Sequence, residues 1–538
     1  MKRITFGIGI FGILFAVCCN SLAFADETPN YSSRVYPGTD GRLLYTADSQ
    51  GNTIPDFSHA GYMGGGQAIP YVGAKDTLWP VAGDNSPHIQ AAIDRISKRA
   101  PDSDGFRGAV LLKHGYYKLH SQLKISAGGV VLRGEGQGES GTVLVGCGVF
   151  EGSSSRNKPK LIIVSGESSW DVDESSSVSI TDSFVPVGAT SFHVDDAGAF
   201  KPGDTVLVRR HGNQAWINEL GMNLENDDWR WDPFSIQYDR IITAVDANTI
   251  TVDVPLACAI EKHWGGGDMV KYSDPGRITN VGIENLRGVS EFDQTVRTTR
   301  HGNIDRHPYH GEEYYADENH YWDFITFNNA KNIWLRNVTA KHFAGSLVTL
   351  EQGTKWATVQ DCESIDPVSL RWGGRRFTYA LKGQLALVQR CVSDKGRHSF
   401  VLLDYQACGP NVFLDCRATQ AFSSSEPHYK YVTGALYDNV MAPLTARFWK
   451  DISIGWSGAN IVFWNCEGQY LIQKPPTAQN YAFGHVGIHA TVFNTQFQDL
   501  TQDDGSIESW DRHVDPKSLY LKQLKDRLGE DAVRAIGW

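Results

Sequence analysis

The sequence is poor in the features that mark several large classes. It has only 5 Met among 538 residues, and no Cys-x-x-C pair among its 9 cysteines, so a finger-type zinc site has no ligands at the usual spacing. It has no G-x-S-x-G elbow, no H-E-x-x-H helix and no phosphate-binding P-loop. Gly134-Glu135-Gly136-Gln137-Gly138 is glycine-rich but lacks dinucleotide spacing, and no helical pattern follows it. Positive charge is also short: 50 Lys and Arg face 61 Asp and Glu, which argues against a general nucleic-acid binder. With 41% hydrophobic and 21% charged residues, disordered and collagen-like chains are excluded.

The one long apolar run lies at the start. Lys2 and Arg3 precede Ile4 to Val17, and Ala23-Phe24-Ala25 follows as a small-x-small cleavage pattern. Residues 1–25 are expected to be a signal peptide, with the mature chain, residues 26–538, secreted or periplasmic. No later stretch reaches the about 18 apolar residues of a spanning helix. Loss of Lys2 and Arg3 takes the 50 basic residues to 48 against 61 acidic ones, a charge of −13. Seven cysteines remain, an odd number: 147, 258, 362, 391, 408, 416 and 466.

Four of these cysteines expose a repeat. Leu335-Arg336-Asn337-Val338, Val359-Gln360-Asp361-Cys362, Val388-Gln389-Arg390-Cys391, Phe413-Leu414-Asp415-Cys416 and Phe463-Trp464-Asn465-Cys466 share an apolar first place, a polar third and Val or Cys in the fourth. The fourth place advances by 24, 29, 25 and 50 residues, the last being two turns of 25. Apolar residues three apart cannot share one face of a straight strand, so the chain bends between them. A short strand and a corner every ~25 residues mark a solenoid. With turn residues before each strand and no room for helices, the coils stack as parallel strands about 4.8 Å apart. The fold class is all-β: a right-handed parallel β-helix whose cysteines form an internal ladder of small apolar groups, disulfides or reactive thiols being the alternative.

The ends fit the same architecture. Ser86-Pro87 with Ile89, Ile93 and Ile96 predicts a helix that caps the first coil, and residues 516–536 predict a terminal helix that covers the last exposed edge. Residues 187–272 break the pattern and read as a β-rich insertion within the single domain, carrying Trp216, Trp229 and Trp231. The Gly-Ala-Val-Leu-Leu and Gly-Val-Val-Leu-Arg-Gly-Glu-Gly segments at 108–112 and 129–136, with the Asn/Asp-Cys coils, resemble secreted right-handed parallel β-helix proteins of the pectate-lyase-like superfamily. That resemblance implies a scaffold shared by lyases, hydrolases, epimerases and non-catalytic fibres, and carries over no catalytic residue.

Stacking then nominates a site. Four places past the Val/Cys position stand His342, Asp366, Lys395, Gln420 and, after a skipped coil, Tyr470. Residues 371–400 hold seven cations (Arg371, Arg375, Arg376, Lys382, Arg390, Lys395, Arg397) against Asp394 alone, +6 within an acidic protein. Such an island suits an anionic polymer that the overall field would repel. In β-elimination of a uronate, Arg375 and Arg376 would neutralise the carboxylate, Lys395 would take the proton, and Arg397 or His398 would assist the leaving oxygen. His342, Asp366, His428, Lys430, Tyr431 and Trp216 are candidate substrate contacts. The plain alternative is a solvated charged surface, with Arg390 paired to Asp361 or Asp415, and with the tryptophans packing the insertion. Asp317-Glu318-Asn319-His320 has ligand-type residues, polar surface being its plain reading, and a divalent cation such as calcium is the one cofactor entertained.

The sequence-level expectation is therefore an exported polysaccharide lyase. A glycoside hydrolase using Asp366, Glu363 and Asp404 is the second reading, and a glycan-binding β-helix without turnover the third. The expected partner is an anionic polysaccharide or oligosaccharide, taken by a monomer.

Overall fold

The computed structural model describes residues 30–155, 157–222, 231–301, 311–403, 407–450, 455–489 and 499–538. The expected signal peptide, residues 1–25, lies outside them. Each coil contributes up to three short strands. The first runs Gly108–Leu112, Gly115–Leu119 and Leu123–Ile125, and each strand pairs in parallel with its counterpart in Val130–Arg133, Thr142–Gly146 and Lys160–Ser165. Repetition of this unit builds three parallel sheets around one apolar core. The molecule is a parallel β-helix, wound in the right-handed sense that crossovers between parallel strands take.

The repeat read from the sequence is the register of the first face. Leu335 pairs with Val359, Val359 with Val388, Val388 with Phe413, Phe413 with Tyr437 and Tyr437 with Phe463. Tyr437-Asp438-Asn439-Val440 supplies the skipped coil. Val338, Cys362, Cys391, Cys416, Val440 and Cys466 are all buried in the one core. Sγ of Cys362 donates to the Gln360 carbonyl at 3.1 Å, and Cys391 and Cys416 repeat the contact with Gln389 and Leu414. All seven cysteines of the described residues are free thiols, so the ladder is packing and not crosslinking.

The polar third position has a conformational cause. Asn285, Asn337, Asp361, Arg390, Asp415, Asn439 and Asn465 all adopt φ between 49° and 57°. The left-handed region costs most side chains about 1–2 kcal/mol, and Asn and Asp tolerate it best. This residue turns the chain from the first face to the second. The corner from the second face to the third is left-handed as well, at His342, Asp366, Lys395 and Gln420, with φ from 47° to 69°.

The helix Ser86–Ser97 buries Ile89, Ala92, Ile93 and Ile96 against the first coils and caps that end. The C-terminal segment departs from expectation. It forms two helices, Leu519–Leu528 and Glu530–Ala535, separated at Gly529 with φ 87°. With the arm of Val35, Ile54 and Phe57, they cover Leu387, Leu414, Leu436 and Trp464, the outward side chains of the first face. They brace the flank because that outer surface is itself apolar. The last edge is instead extended by Ser506–Glu508, which pairs with Tyr481–Phe483.

The insertion is wider than its sequence signal. Its antiparallel sheet opens with Asp171–Ser179 and closes with Gly267–Ser273, which flank Thr205–His211 and Ser235–Asp246. A buried charge group ties it to the solenoid: Asp239 accepts from Arg277 at 2.8 Å, Lys355 at 2.6 Å and Tyr272 at 2.6 Å. No helix among the described residues is long and apolar enough to cross a membrane.

Candidate functional site

Loops at the corner between the second and third faces enclose a cleft of about 220 Å³. Arg297, Tyr314 and Tyr315 come from one coil, Asp366, Arg371 and Arg376 from a later one, and Lys395 from the coil after that. Stacking thus brings Asp366 and Lys395 together, and Arg376 of the charged stretch lines the same cleft.

Charges in the cleft are unequally paired. Lys395 Nζ lies 3.1 Å from Asp366 Oδ1, and Arg297 lies 2.8 Å from Glu313. The Arg371 guanidinium sits between the Tyr314 and Phe422 rings, 4.0 and 4.1 Å from their centres. Arg376 is different. It is 2% exposed, donates from Nη2 to the Ser369 carbonyl at 2.7 Å, and leaves Nε buried without a partner. Among the described residues it has no carboxylate partner. Burial, reinforced by neighbouring Arg371, pulls its pKa down to about 9. A buried cation with an unused donor in a cleft wall is short of an anion.

Several sequence assignments change. Arg375 is no carboxylate clamp, because Glu318 already grips it through two hydrogen bonds of 2.7 and 2.9 Å. Lys395 does not stand free in the cleft, since its Nζ is paired with Asp366. Lys382 pairs with Glu351 and Arg390 with Asp361, so at least four of the seven island cations have acidic partners among the described residues. Arg397 donates to the Gly373 carbonyl, lies over the Phe377 ring and does not line the cleft.

Beyond Arg397 begins a second group. His398, Glu426 and His428 start adjacent strands of the third face, in successive coils. Glu426 is fully buried, and its Oε1 lies 2.6 Å from His428 Nδ1 and 3.1 Å from His398 Nδ1. Its Oε2 accepts from Ser424 at 2.8 Å and from Thr445, with Arg447 at 3.5 Å. Burial alone would favour a neutral carboxyl, yet the Arg447 charge and the hydrogen bond from His428 hold its pKa far below the usual range. Burial also lowers both histidines, so the imidazoles are neutral. Phe377, the residue after Arg376, packs edge-on against both rings and joins the group to the cleft.

By residue type His398, Glu426 and His428 could hold a metal ion. Two imidazoles and one carboxylate do not suit calcium, which takes six to eight oxygens. The carboxylate, moreover, is saturated by donors and neutralised by Arg447. The Asp317–His320 run is equally committed: Asp317 and His320 are buried, Glu318 half-buried and Asn319 exposed. Asp317 accepts from the Asp293 and Asn319 amides, Glu318 holds Arg375, and His320 bonds Ser290 and the Val368 carbonyl.

The remaining candidates scatter. Trp216 is 0% exposed and Tyr431 1%; they pack edge to face at 4.9 Å where the insertion docks, so neither meets a substrate. Lys430 lies over the Trp231 ring at 3.8 Å. His342 is half-buried against Phe292 at the same corner, with burial lowering its pKa to about 4. Glu363 is exposed on the second face and does not line the cleft. Asp404 and Trp229 lie outside the described residues. Arg447 and the carboxylate role of Glu426 were not visible in the sequence; Glu426-Pro427-His428 was legible only as a basic and aromatic cluster.

No family model matches the chain, and no curated protein matches it. Among solved structures it is similar to the gp54 tailspike of Acinetobacter baumannii bacteriophage AP22, in complex with A. baumannii capsular saccharide. Identity is 12% over 76% of this chain and 56% of that one, with a TM-score of 0.42. The tailspike protein gp49 from Pseudomonas phage LKA1 matches at 12% identity over the same shares, with a TM-score of 0.41. The A-module of the Azotobacter vinelandii mannuronan C-5 epimerase AlgE6 matches at 11% identity, over 76% of this chain and 77% of that one, with a TM-score of 0.30. The chain thus spans 56% of the length of either tailspike. The β-helix assignment rests on the strand register described above.

Proposed function

We propose that the protein is an exported carbohydrate-active enzyme, a polysaccharide lyase acting on an anionic, uronic-acid-containing glycan. The observation that carries this reading is Arg376: a buried guanidinium, unpaired with any described carboxylate, in the wall of a corner cleft. A uronate carboxylate supplies the missing charge and accepts from Nε, and the planar fork of arginine suits it. Arg371 stands beside it, its guanidinium held between the Tyr314 and Phe422 rings. β-Elimination needs the carboxylate of the reacting sugar neutralised before the adjacent C–H is acidic enough to lose its proton, so a chain of uronates has to be held among cations.

The second reading, a glycoside hydrolase, draws on Asp366 and Glu313, two carboxylates that line the same cleft. Incubation with a panel of uronic-acid polymers separates the readings. A lyase produces ultraviolet absorbance from an unsaturated sugar; a hydrolase produces new reducing ends without it. Neither signal from any polymer would refute both and leave a binding module.

A further inference from the structure

We propose that His428 is the proton-transferring residue of the reaction and that Glu426 is its positioning residue; this rests on the lyase reading. A carboxylate only accepts, so Nδ1 of His428, 2.6 Å from Glu426 Oε1, carries the hydrogen and Nε2 carries the lone pair. Nε2 has no partner among the described residues. His398 repeats the arrangement one coil earlier. Its Nδ1 donates to the Ser424 carbonyl at 2.6 Å and faces Glu426, and its Nε2 is buried without a partner. The two rings are 4.4 Å apart. The Glu426 carboxylate and the Ser424 carbonyl thereby fix the Nδ1–H tautomer of His428 and His398 in turn, and both Nε2 atoms are left without a partner among the described residues.

The complementary shortage lies beside them. Arg447 stacks on Trp449 at 3.7 Å, and its Nε and Nη1, with the Trp449 indole N–H, are buried donors without partners. The His428 ring meets Trp449 edge-on at 5.2 Å. Unused donors call for an oxygen-rich anion, and unused lone pairs call for a proton. A second uronate of the polymer, distinct from the one held at Arg376, offers both: its carboxylate to Arg447 and Trp449, and the hydrogen on the adjacent carbon to Nε2 of His428. In the step, that C–H bond breaks and its proton moves to Nε2. The electron pair becomes the new carbon–carbon double bond as the neighbouring bond to the glycosidic oxygen breaks. The departing oxygen then takes up the proton that His428 carries, and imidazole is regenerated.

Charged groups face His428 from every neighbouring coil: Arg397 and His398 from the preceding one, Glu426 from its own, Arg447 from the next. Burial and the two guanidinium groups favour neutral His428 against the opposing pull of Glu426, so the base is ready at neutral pH.

The test uses a uronic-acid polymer that the wild-type chain cleaves with ultraviolet product. H428N is expected to lower kcat by a hundredfold to ten-thousandfold, about the range of general base catalysis, with polymer affinity by calorimetry and the unfolding midpoint both retained. E426Q, nearly isosteric, is expected to lower kcat at least about tenfold with KM little changed, and to move the acid limb of the pH–rate profile to lower pH. Nitrogen-15 spectra of wild-type histidines are expected to show Nδ1-protonated, neutral His428. Full kcat in H428N, or an unmoved limb in E426Q, would overturn the assignment while leaving the lyase reading intact. Absence of unsaturated product from the wild type on every polymer would overturn both.

Discussion

Arg390 grips Asp361 across one coil through two parallel hydrogen bonds, Nε to Oδ1 at 2.7 Å and Nη2 to Oδ2 at 3.0 Å. Both residues occupy the left-handed corner of their coils, at φ 50° and 55°. The pair therefore joins two corners, and Arg390 holds a position that Asn or Asp fills in the other coils. Because both side chains are partly exposed, screening limits the pair to about 0–1 kcal/mol. Arg390→Asn is expected to leave the urea midpoint nearly unchanged, as the better corner residue offsets the lost ion pair.

Asn465 is a costlier corner. Its side chain donates to the Val514 carbonyl at 2.8 Å and accepts from the Val514 amide at 2.8 Å, at φ 49°. Asn465→Ala forfeits both bonds and keeps the strained backbone, so a loss of about 2–3 kcal/mol is expected in denaturant unfolding.

The thiols give a chemical check. Six of the seven described cysteines are buried and all are free. Native protein is expected to react with a thiol reagent at Cys147 alone, with all seven reacting in denaturant and no change in thermal midpoint on adding reductant. Disulfides would show as missing thiols in denaturant.

Arg376 and Arg375 should separate cleanly. Arg376→Met removes a buried unpaired charge and is expected to leave stability unchanged or higher. Arg375→Met strands Glu318, partly buried, and is expected to cost about 1–2 kcal/mol. Thermal unfolding of both variants reads the contrast.

Asp438 sets a pH dependence. Burial pushes its carboxyl up to about 7, only partly offset by donation from Ser518 and the Tyr520 amide at the start of the Leu519 helix. A raised carboxyl pKa makes the folded state bind the proton more tightly than the unfolded one. The resulting stability is present at low pH and is lost as pH rises toward 7, by at most about 1.4 kcal/mol per unit. Asp438→Asn cannot titrate, so its stability is expected to rise relative to wild type between pH 5 and 7.

The fold was legible because its constraint is local and repeated: every corner asks for a residue that accepts the left-handed conformation, followed by one small enough for the core. Asn337, Asp361, Asp415 and Asn465 announce this with Val or Cys beside them. The terminal helices were legible as helices but not in their destination, since the apolar outer surface of Leu387, Leu414 and Trp464 has no periodic signature. The site was half legible. Stacking placed Asp366 and Lys395 together from spacing alone, while Arg376 was legible only as one cation of the charged stretch. Charge counting failed for Arg375 and Lys382 because their partners, Glu318 and Glu351, lie outside the 371–400 window, whereas the pairing of Arg390 with Asp361 was legible from the corner positions. Arg447 stands alone in Thr-Ala-Arg-Phe-Trp, and only folding brings it to Glu426.

The central claim is that the corner cleft is built for a sugar acid, and the direct measurement is calorimetric titration with one oligouronate and its carboxyl-reduced, neutral counterpart. The account predicts that wild type binds the charged form at least about tenfold more tightly, and that Arg376→Met binds the two alike. Equal affinity of the wild type for both forms, or an undiminished preference in Arg376→Met, would contradict it.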